Sequence, residues 1–78
     1  MIDFEELKQK RNTELLLDNL ELNNYRYIEE EKIYICKYKN MSFRFPLLEH
    51  SLNIAEMDIL TKKLKQMLRI LYEQENTN

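Results

Sequence analysis

The sequence has no glycine, and it has only one proline, one cysteine and one histidine among its 78 residues. Without glycine the chain cannot form a glycine-rich phosphate loop, a dinucleotide-binding fingerprint or the nucleophile elbow of a hydrolase. The single cysteine, Cys36, excludes an intrachain disulfide and a cysteine-rich metal site, which suits a reducing compartment. Several common classes of nucleotide-binding and catalytic protein are therefore excluded.

A dominant charge and a long apolar run are also lacking. The chain carries 12 Lys and Arg against 14 Asp and Glu, a formal net charge of -2. This is neither the basic balance of a non-specific nucleic-acid binder nor the heavy acidity of a DNA mimic. The longest apolar run is Ile33–Cys36, far short of the roughly 20 residues that cross a bilayer, and the N-terminal segment lacks a signal peptide's basic start. We predict a cytoplasmic protein without membrane association.

Composition and length give two further expectations. Richness in Ile, Lys, Asn, Glu and Tyr without Gly is typical of A+T-rich genomes and predicts a bacterial or phage origin. The 78 residues allow one domain, which buries only roughly 60% of the surface that the unfolded chain exposes. Because no disulfide can add stability, we expect tight helix packing or oligomerisation to do so.

The N-terminal segment carries the signals of a helix start. Asp3 can cap the helix, and Glu6 can complete a capping box three residues later. The pattern predicts a helix over about residues 4–22. Asn23–Asn24 favours a stop, because asparagine tolerates the left-handed conformation that ends many helices.

The next segment alternates aromatic and β-branched residues with polar ones, which predicts a three-stranded antiparallel meander. The strands are expected at about residues 25–29, 32–38 and 41–46. Two-residue turns at Glu30–Glu31 and Lys39–Asn40 would join them. Asn40 suits such a tight turn, whereas two glutamates suit it poorly, and the turn chemistry therefore supports the register of the second hairpin more strongly than that of the first.

The register set by these turns places nearly all aromatic side chains on one face of the sheet. Tyr25 and Tyr27 then lie beside Cys36 and Tyr34. The opposite face carries Arg26, Ile28, Ile33, Ile35, Lys37, Ser42 and Arg44. Because both faces hold apolar residues, either one helix covers each face within a monomer, or one face is left for a partner.

The C-terminal segment predicts a long amphipathic helix over about residues 54–74, followed by a frayed tail at 75–78. Asn53 and Glu56 can form a second capping box. An apolar stripe with coiled-coil spacing consists of Met57, Leu60, Leu64, Met67 and Leu71. Ile54, Leu68 and Tyr72 widen this stripe to the width expected of a helix that packs on a core. Residues 1–78 are thus predicted to form a small single α+β domain, built as a helix, a three-stranded antiparallel meander and a helix.

The chain offers few groups for catalysis or metal binding. Cys36 and His50 match no nucleophile signature, and we interpret Cys36 as a small buried hydrophobe and His50 as a polar loop residue. The acidic run Glu29–Glu31 could attract a hard cation, but consecutive strand residues point to opposite faces. We predict no catalytic residues, no metal site and no cofactor, and hence no enzyme.

The last helix carries four basic residues that could follow a phosphate backbone: Lys62, Lys63, Lys65 and Arg69. Lys65 and Arg69 lie on one flank of the apolar stripe and Lys63 on the other, which is typical of the solvated edges of an amphipathic helix. A dimeric nucleic-acid-binding regulator that uses this helix is the alternative hypothesis. No helix-turn-helix motif supports it, and we expect nucleic acid not to be the partner.

Surplus apolar surface is the strongest functional indication in the sequence. Ile28, Ile33 and Ile35 lie on the second sheet face, and Ile59 and Ile70 lie on the far side of the last helix. We predict that these five isoleucines bind a partner, and that the chain is a homodimer. The first hypothesis is a non-enzymatic protein-interaction module, such as a phage- or mobile-element-encoded adaptor or inhibitor of a larger protein.

Overall fold

The computed structural model describes residues 3–22 and 24–76, which form two helices and one sheet. The elements in chain order are α1 (Phe4–Asn19), β1 (Tyr25–Ile28), β2 (Ile33–Tyr38), β3 (Met41–Pro46) and α2 (Ile54–Asn76). This order confirms the predicted α+β fold of helix, antiparallel meander and helix. α1 ends three residues before the predicted bound, and α2 continues two residues beyond it. The predicted stop residue Asn23 and the tail residues 77–78 lie outside the described residues.

The N-terminus of α1 is capped and is also attached to the sheet. The Asp3 carboxylate accepts hydrogen bonds from the backbone N–H groups of Glu5 and Glu6, at 3.1 and 3.2 Å. The Glu6 carboxylate pairs with the Lys32 ammonium group in the turn between β1 and β2. The start of α1 is therefore held at the end of the sheet where that turn lies.

α1 ends in a Schellman motif built without glycine. Glu21 takes the left-handed conformation, with a φ of 62°. Its N–H donates to the Asp18 carbonyl at 2.9 Å, and the Leu22 N–H donates to the Leu17 carbonyl at 3.2 Å. Leu17 and Leu22 both belong to the core, which supplies the apolar contact that accompanies this motif. The helix is thus stopped at Glu21, before the asparagines at which its end was predicted.

The sheet has the strand order β1-β2-β3 and the predicted register in both hairpins. Tyr25 lies opposite Cys36 and Tyr27 opposite Tyr34 in the first hairpin. Cys36 lies opposite Phe43 in the second hairpin. The aromatic side chains of the strands therefore share one face, as the alternation predicts.

The first turn is longer than predicted. Pairing between β1 and β2 stops at Ile28 and Ile33, which leaves a four-residue turn over 29–32 in place of the two-residue turn at Glu30–Glu31. Lys32 has a φ of 57°, and its N–H donates to the Ile28 carbonyl at 2.9 Å. This wider turn keeps the register without forcing glutamate into a tight primed turn. The second turn is the predicted one, with a φ of 55° at Lys39.

Both helices pack on the aromatic face of the sheet. The buried core consists of Leu16, Leu17, Leu20, Leu22, Tyr34 and Cys36. Partly buried side chains around it include Phe43, Phe45, Met57, Leu60 and Leu64. Because every strand residue in these two sets lies on the same face, the domain has two layers. The alternative in which one helix covers each face is therefore wrong, and none of the described elements covers the isoleucine face.

α2 begins with the predicted capping box and buries part of the predicted stripe. The Asn53 carboxamide oxygen accepts the Glu56 N–H at 2.8 Å, and the Glu56 carboxylate accepts the Asn53 N–H at 3.0 Å. Leu68 is buried as predicted. Met67 and Leu71, assigned to the packed stripe, are 55% and 48% exposed, and Ile54 is also exposed.

Candidate protein-interaction surfaces

The face of the sheet turned away from the helices brings the three sheet isoleucines together. Ile28 lies opposite Ile33, and Ile33 lies opposite Pro46, which makes an apolar row across all three strands. Ile35 lies two residues along β2 and on the same face. We call this face the sheet surface; it comprises Arg26, Ile28, Ile33, Ile35, Lys37, Ser42, Arg44 and Pro46. The isoleucines are half-buried by their neighbours and are not part of the core.

All the charged residues of the sheet surface are basic. The strands contain Arg26, Lys37 and Arg44 and no acidic residue, although the chain has 14 acidic residues. Arg26 and Arg44 both lie opposite Ile35, one on each neighbouring strand. With strands about 4.8 Å apart, their Cα atoms are separated by roughly 10 Å. Cationic side chains therefore flank an aliphatic centre.

Only one of these three cations forms an ion pair within the described residues. The Arg44 guanidinium lies 3.3 Å from the Glu31 carboxylate in the first turn. Both side chains are more than half exposed, and an ion pair of this kind contributes little to stability. Arg26 and Lys37 form no ion pair in the described part of the chain.

A second apolar surface lies on α2, on the side opposite the core. Ile59 and Ile70 are 61% and 45% exposed, and eleven residues are about three turns of a helix. Lys63 lies between these isoleucines on the helix surface, and the exposed Met67 lies beside them toward the packed side. We call Ile59, Lys63, Met67 and Ile70 the α2 surface. The five predicted partner-binding residues therefore form two groups, one on each side of the two-layer domain.

α1 carries a third exposed apolar group, which was not predicted from the sequence. Phe4, Leu7 and Leu15 are all exposed, and they line a shallow depression on the outer side of the helix together with Arg11 and Glu14. Their spacing of three and eight residues places them on one face of a helix, and this spacing could have predicted the group. Leu15 is hard to assign from the sequence because the next two residues of its leucine run face the core.

The four basic residues of α2 do not form one patch. At about 3.6 residues per turn, Lys62, Lys65 and Arg69 follow one flank of the helix, and Asp58 lies on the same flank. The Lys62 ammonium lies 3.0 Å from the Asp58 carboxylate. Lys63 lies apart from them, on the α2 surface. Asp58 reduces the positive charge of this flank, and Lys63 does not contribute to it. The flank is therefore a weak candidate for binding a phosphate backbone.

Cys36 and His50, the residues considered for catalysis, lie in different environments. Cys36 is fully buried in the core, and burial raises the pKa of its thiol to about 11. A thiol with such a pKa is protonated near neutral pH and is a weak nucleophile. His50 lies exposed in the loop between β3 and α2. The interpretation of Cys36 as a small buried hydrophobe is confirmed.

Tyrosine hydroxyl groups attach α1 to the sheet. The buried Tyr34 donates a hydrogen bond to the Glu14 carboxylate at 2.6 Å, and Tyr25 donates to the Asp18 carboxylate at 2.9 Å. Desolvation, followed by the hydrogen bond to the carboxylate, raises the pKa of Tyr25 to about 12 and also raises the pKa of Tyr34. Phenols held in this protonated state act as hydrogen-bond donors that position the helix.

Among residues 3–22 and 24–76, His, Cys, Asp and Glu side chains do not form a group of three or more that could hold a metal ion. In the same residues, neither α1 nor α2 is long and apolar enough to cross a membrane. In comparisons with protein-family models, with curated proteins and with solved structures, nothing matches the chain significantly.

Proposed function

We propose that this chain is a non-enzymatic protein-interaction module that acts as an adaptor or inhibitor by occupying a surface of a larger protein. One observation carries the proposal: both helices pack on the aromatic face of the sheet, while Ile28, Ile33 and Ile35 gather on the face that the described elements leave uncovered. Apolar surface of this kind is stabilised by burial against a partner.

The proposal includes a homodimer that forms through the α2 surface. Three exposed apolar side chains there, Ile59, Met67 and Ile70, follow one side of the helix over about three turns. In a two-fold antiparallel pairing of α2 centred between residues 64 and 65, Ile59 of one protomer lies opposite Ile70 of the partner subunit. An interface of this type is self-complementary, which is the commonest arrangement in small oligomers. It leaves the sheet surface free for a different protein.

Self-association through the sheet surface is less favourable. Two copies would bring Arg26, Lys37 and Arg44 of each chain into one interface, and like charges in an interface are costly to bring together. The charge of the sheet surface therefore favours a heterologous partner. The two apolar surfaces accordingly have different roles in the proposal.

The homodimer is tested by light scattering over a dilution series. The wild-type chain should have twice the mass of one chain and should dissociate on dilution. Ile59→Lys and Ile70→Lys should each be monomeric at concentrations where the wild type is dimeric, with an unchanged helical circular dichroism spectrum. A single-chain mass at every concentration would contradict the homodimer.

Ile54→Lys is the matched control for this test. Ile54 is 90% exposed near the start of the same helix, where it borders a shallow depression shared with α1, on a different side of α2 from the α2 surface. The same isoleucine-to-lysine change at this position should leave the mass at two chains. Equal loss of the dimer in Ile54→Lys and Ile59→Lys would mean that the α2 surface is not the interface.

A further inference from the structure

We infer that the sheet surface binds an acidic amphipathic helix of another protein, with aliphatic side chains over the isoleucines and carboxylates over Arg26 and Lys37. The inference rests on the proposed function, because it gives the chemistry of the partner for one of the two surfaces. It depends on three features of the sheet surface: its charge, its dimensions and its lack of aromatic side chains.

The charge of the sheet surface selects an acidic partner. The chain as a whole has a net charge of -2, yet its three strands carry three cations and no anion. The acidic residues nearest in sequence, Glu29–Glu31, lie in the turn at one end, where Glu31 accompanies Arg44. Arg26 and Lys37 have no such neighbour among the described residues and are left to bind external carboxylates.

A shallow depression lies between these two cations. It is lined by Asn24, Arg26, Ile35, Lys37 and Ser42, together with Tyr25. The carboxamide and the hydroxyl group add hydrogen-bonding capacity beside the two cations. A carboxylate in this depression would contact both cations, while the row formed by Ile28, Ile33 and Pro46 remains available for aliphatic side chains.

The dimensions of the sheet surface fit one helix. Three strands about 4.8 Å apart make a surface roughly 10 Å wide between the outer strands, which is close to the diameter of an α-helix with its side chains. Strands of six residues, such as β2 and β3, are roughly 20 Å long. A helix of about 14 residues has the same length.

Single-stranded RNA fits the sheet surface less well than an acidic helix does. Proteins that read RNA on a sheet stack the bases on aromatic side chains of the exposed face. Here the aromatic residues of β1, β2 and β3 lie on the face that packs against α1 and α2. Tyr25 also borders the depression, but it packs against the core and its hydroxyl group donates to Asp18 of α1. The sheet surface therefore has cations for phosphates but does not present an aromatic ring for bases.

The test is an NMR titration of the full chain with two designed peptides. Both peptides have about 14 residues, which gives a helix of roughly 21 Å, and both carry leucine along one side. The first has glutamate at its polar positions, and the second has lysine at the same positions. The glutamate peptide should shift the amide resonances of β1, β2 and β3, and it should bind at least about tenfold more tightly than the lysine peptide.

Charge-reversed variants identify the residues responsible. The double variant Arg26→Glu with Lys37→Glu should bind the glutamate peptide about tenfold more weakly and should gain affinity for the lysine peptide. The matched control, Lys62→Glu with Lys65→Glu, changes the net charge equally on a flank of α2. It should leave binding of the glutamate peptide within about twofold of the wild type, since exposed charges beyond roughly 8 Å are screened at physiological salt.

Three results would overturn the inference: equal binding of the two peptides, resonance shifts confined to α1 and α2, or strand shifts with polyuridylate RNA and none with the glutamate peptide. Ile33→Lys separates this failure from failure of the proposed function. If Ile33→Lys stays folded and the glutamate peptide does not bind the wild type, only the inference of an acidic partner is refuted. If Ile33→Lys unfolds, the isoleucines are core residues and the interaction module is refuted as well.

Discussion

Two neighbouring leucines of α1 allow a direct test of the packing, because one faces the core and the other faces solvent. Leu17 is 0% exposed, whereas Leu15 is 51% exposed on the outer side of the same helix. Leu17→Ala should destabilise the fold by about 3–5 kcal/mol, since it removes buried methyl groups and leaves a cavity. Alanine is the best helix former, and loss of helix propensity therefore does not contribute to this cost. Leu15→Ala should change the stability by less than about 0.5 kcal/mol.

The cost at Leu17 is large relative to the stability of a chain of this size. At roughly 0.05–0.15 kcal/mol per residue, 78 residues have an unfolding free energy of about 4–12 kcal/mol. Urea unfolding followed by circular dichroism measures both variants. With an m-value of about 1 kcal/mol/M, the Leu17→Ala midpoint should fall by at least about 3 M, or the variant should be unfolded without urea. Equal midpoints for Leu15→Ala and Leu17→Ala would refute the orientation of α1 on the sheet.

Three further predictions concern single features of the molecule. Cys36 should react slowly with a thiol reagent in the folded protein. Burial raises the pKa of the Cys36 thiol from the ordinary 9.0 to about 11 in the folded protein. The stability that the protonated thiol contributes is therefore complete below pH 9 and should be lost as the pH rises from 9 to 11. Urea unfolding at a series of alkaline pH values would measure this loss. Glu21→Gly should raise the free energy of unfolding by about 0.5–1 kcal/mol, because glycine adopts the left-handed conformation without strain. Glu21→Ala should not raise it, because alanine keeps the Cβ atom that causes the strain. At about 0.15 M salt the chain should not retard duplex DNA in a gel, and a retarded band weakened by Lys65→Glu would favour the regulator hypothesis.

The elements of the fold follow from signals that are local in the sequence. The capping box of Asn53 and Glu56 sets the start of α2, and the alternation of side chains sets the register of both hairpins. The exact end of α1 and the length of the first turn were not predicted. Without glycine, the left-handed positions among residues 3–22 and 24–76 fall on Glu21, Lys32 and Lys39, and nothing in those residue types marks a positive φ.

The arrangement of layers could not be read from the alternation alone. Alternation shows that both sheet faces hold apolar residues, but it does not show on which face each helix lies. The apolar stripe of α2 correctly placed Leu68 on the packed side, but it also assigned Met67, Leu71 and Ile54 to that side, and these three are exposed. Spacing along a helix shows which residues share a side, but it does not show how far along the helix the core extends.

The candidate surfaces were predicted in part. The isoleucines on the second sheet face share one surface, as the strand register implies, and Ile59 and Ile70 share the outer side of α2. The basic character of the sheet surface was present in the sequence as Arg26, Lys37 and Arg44. Its significance depends on knowing that the helices lie on the other face, which requires the tertiary structure.

The stability and fold of Ile33→Lys show whether the sheet surface is uncovered. Ile33 lies in the middle strand of the sheet surface, where a lysine side chain can extend into solvent if the surface is uncovered. We expect a dispersed amide NMR spectrum and a loss of less than about 1.5 kcal/mol in the free energy of unfolding, which lowers the melting temperature by no more than roughly 6–12 °C. An unfolded variant, or a loss as large as that of Leu17→Ala, would show that Ile33 is a core residue and that the sheet surface is not free to bind a partner.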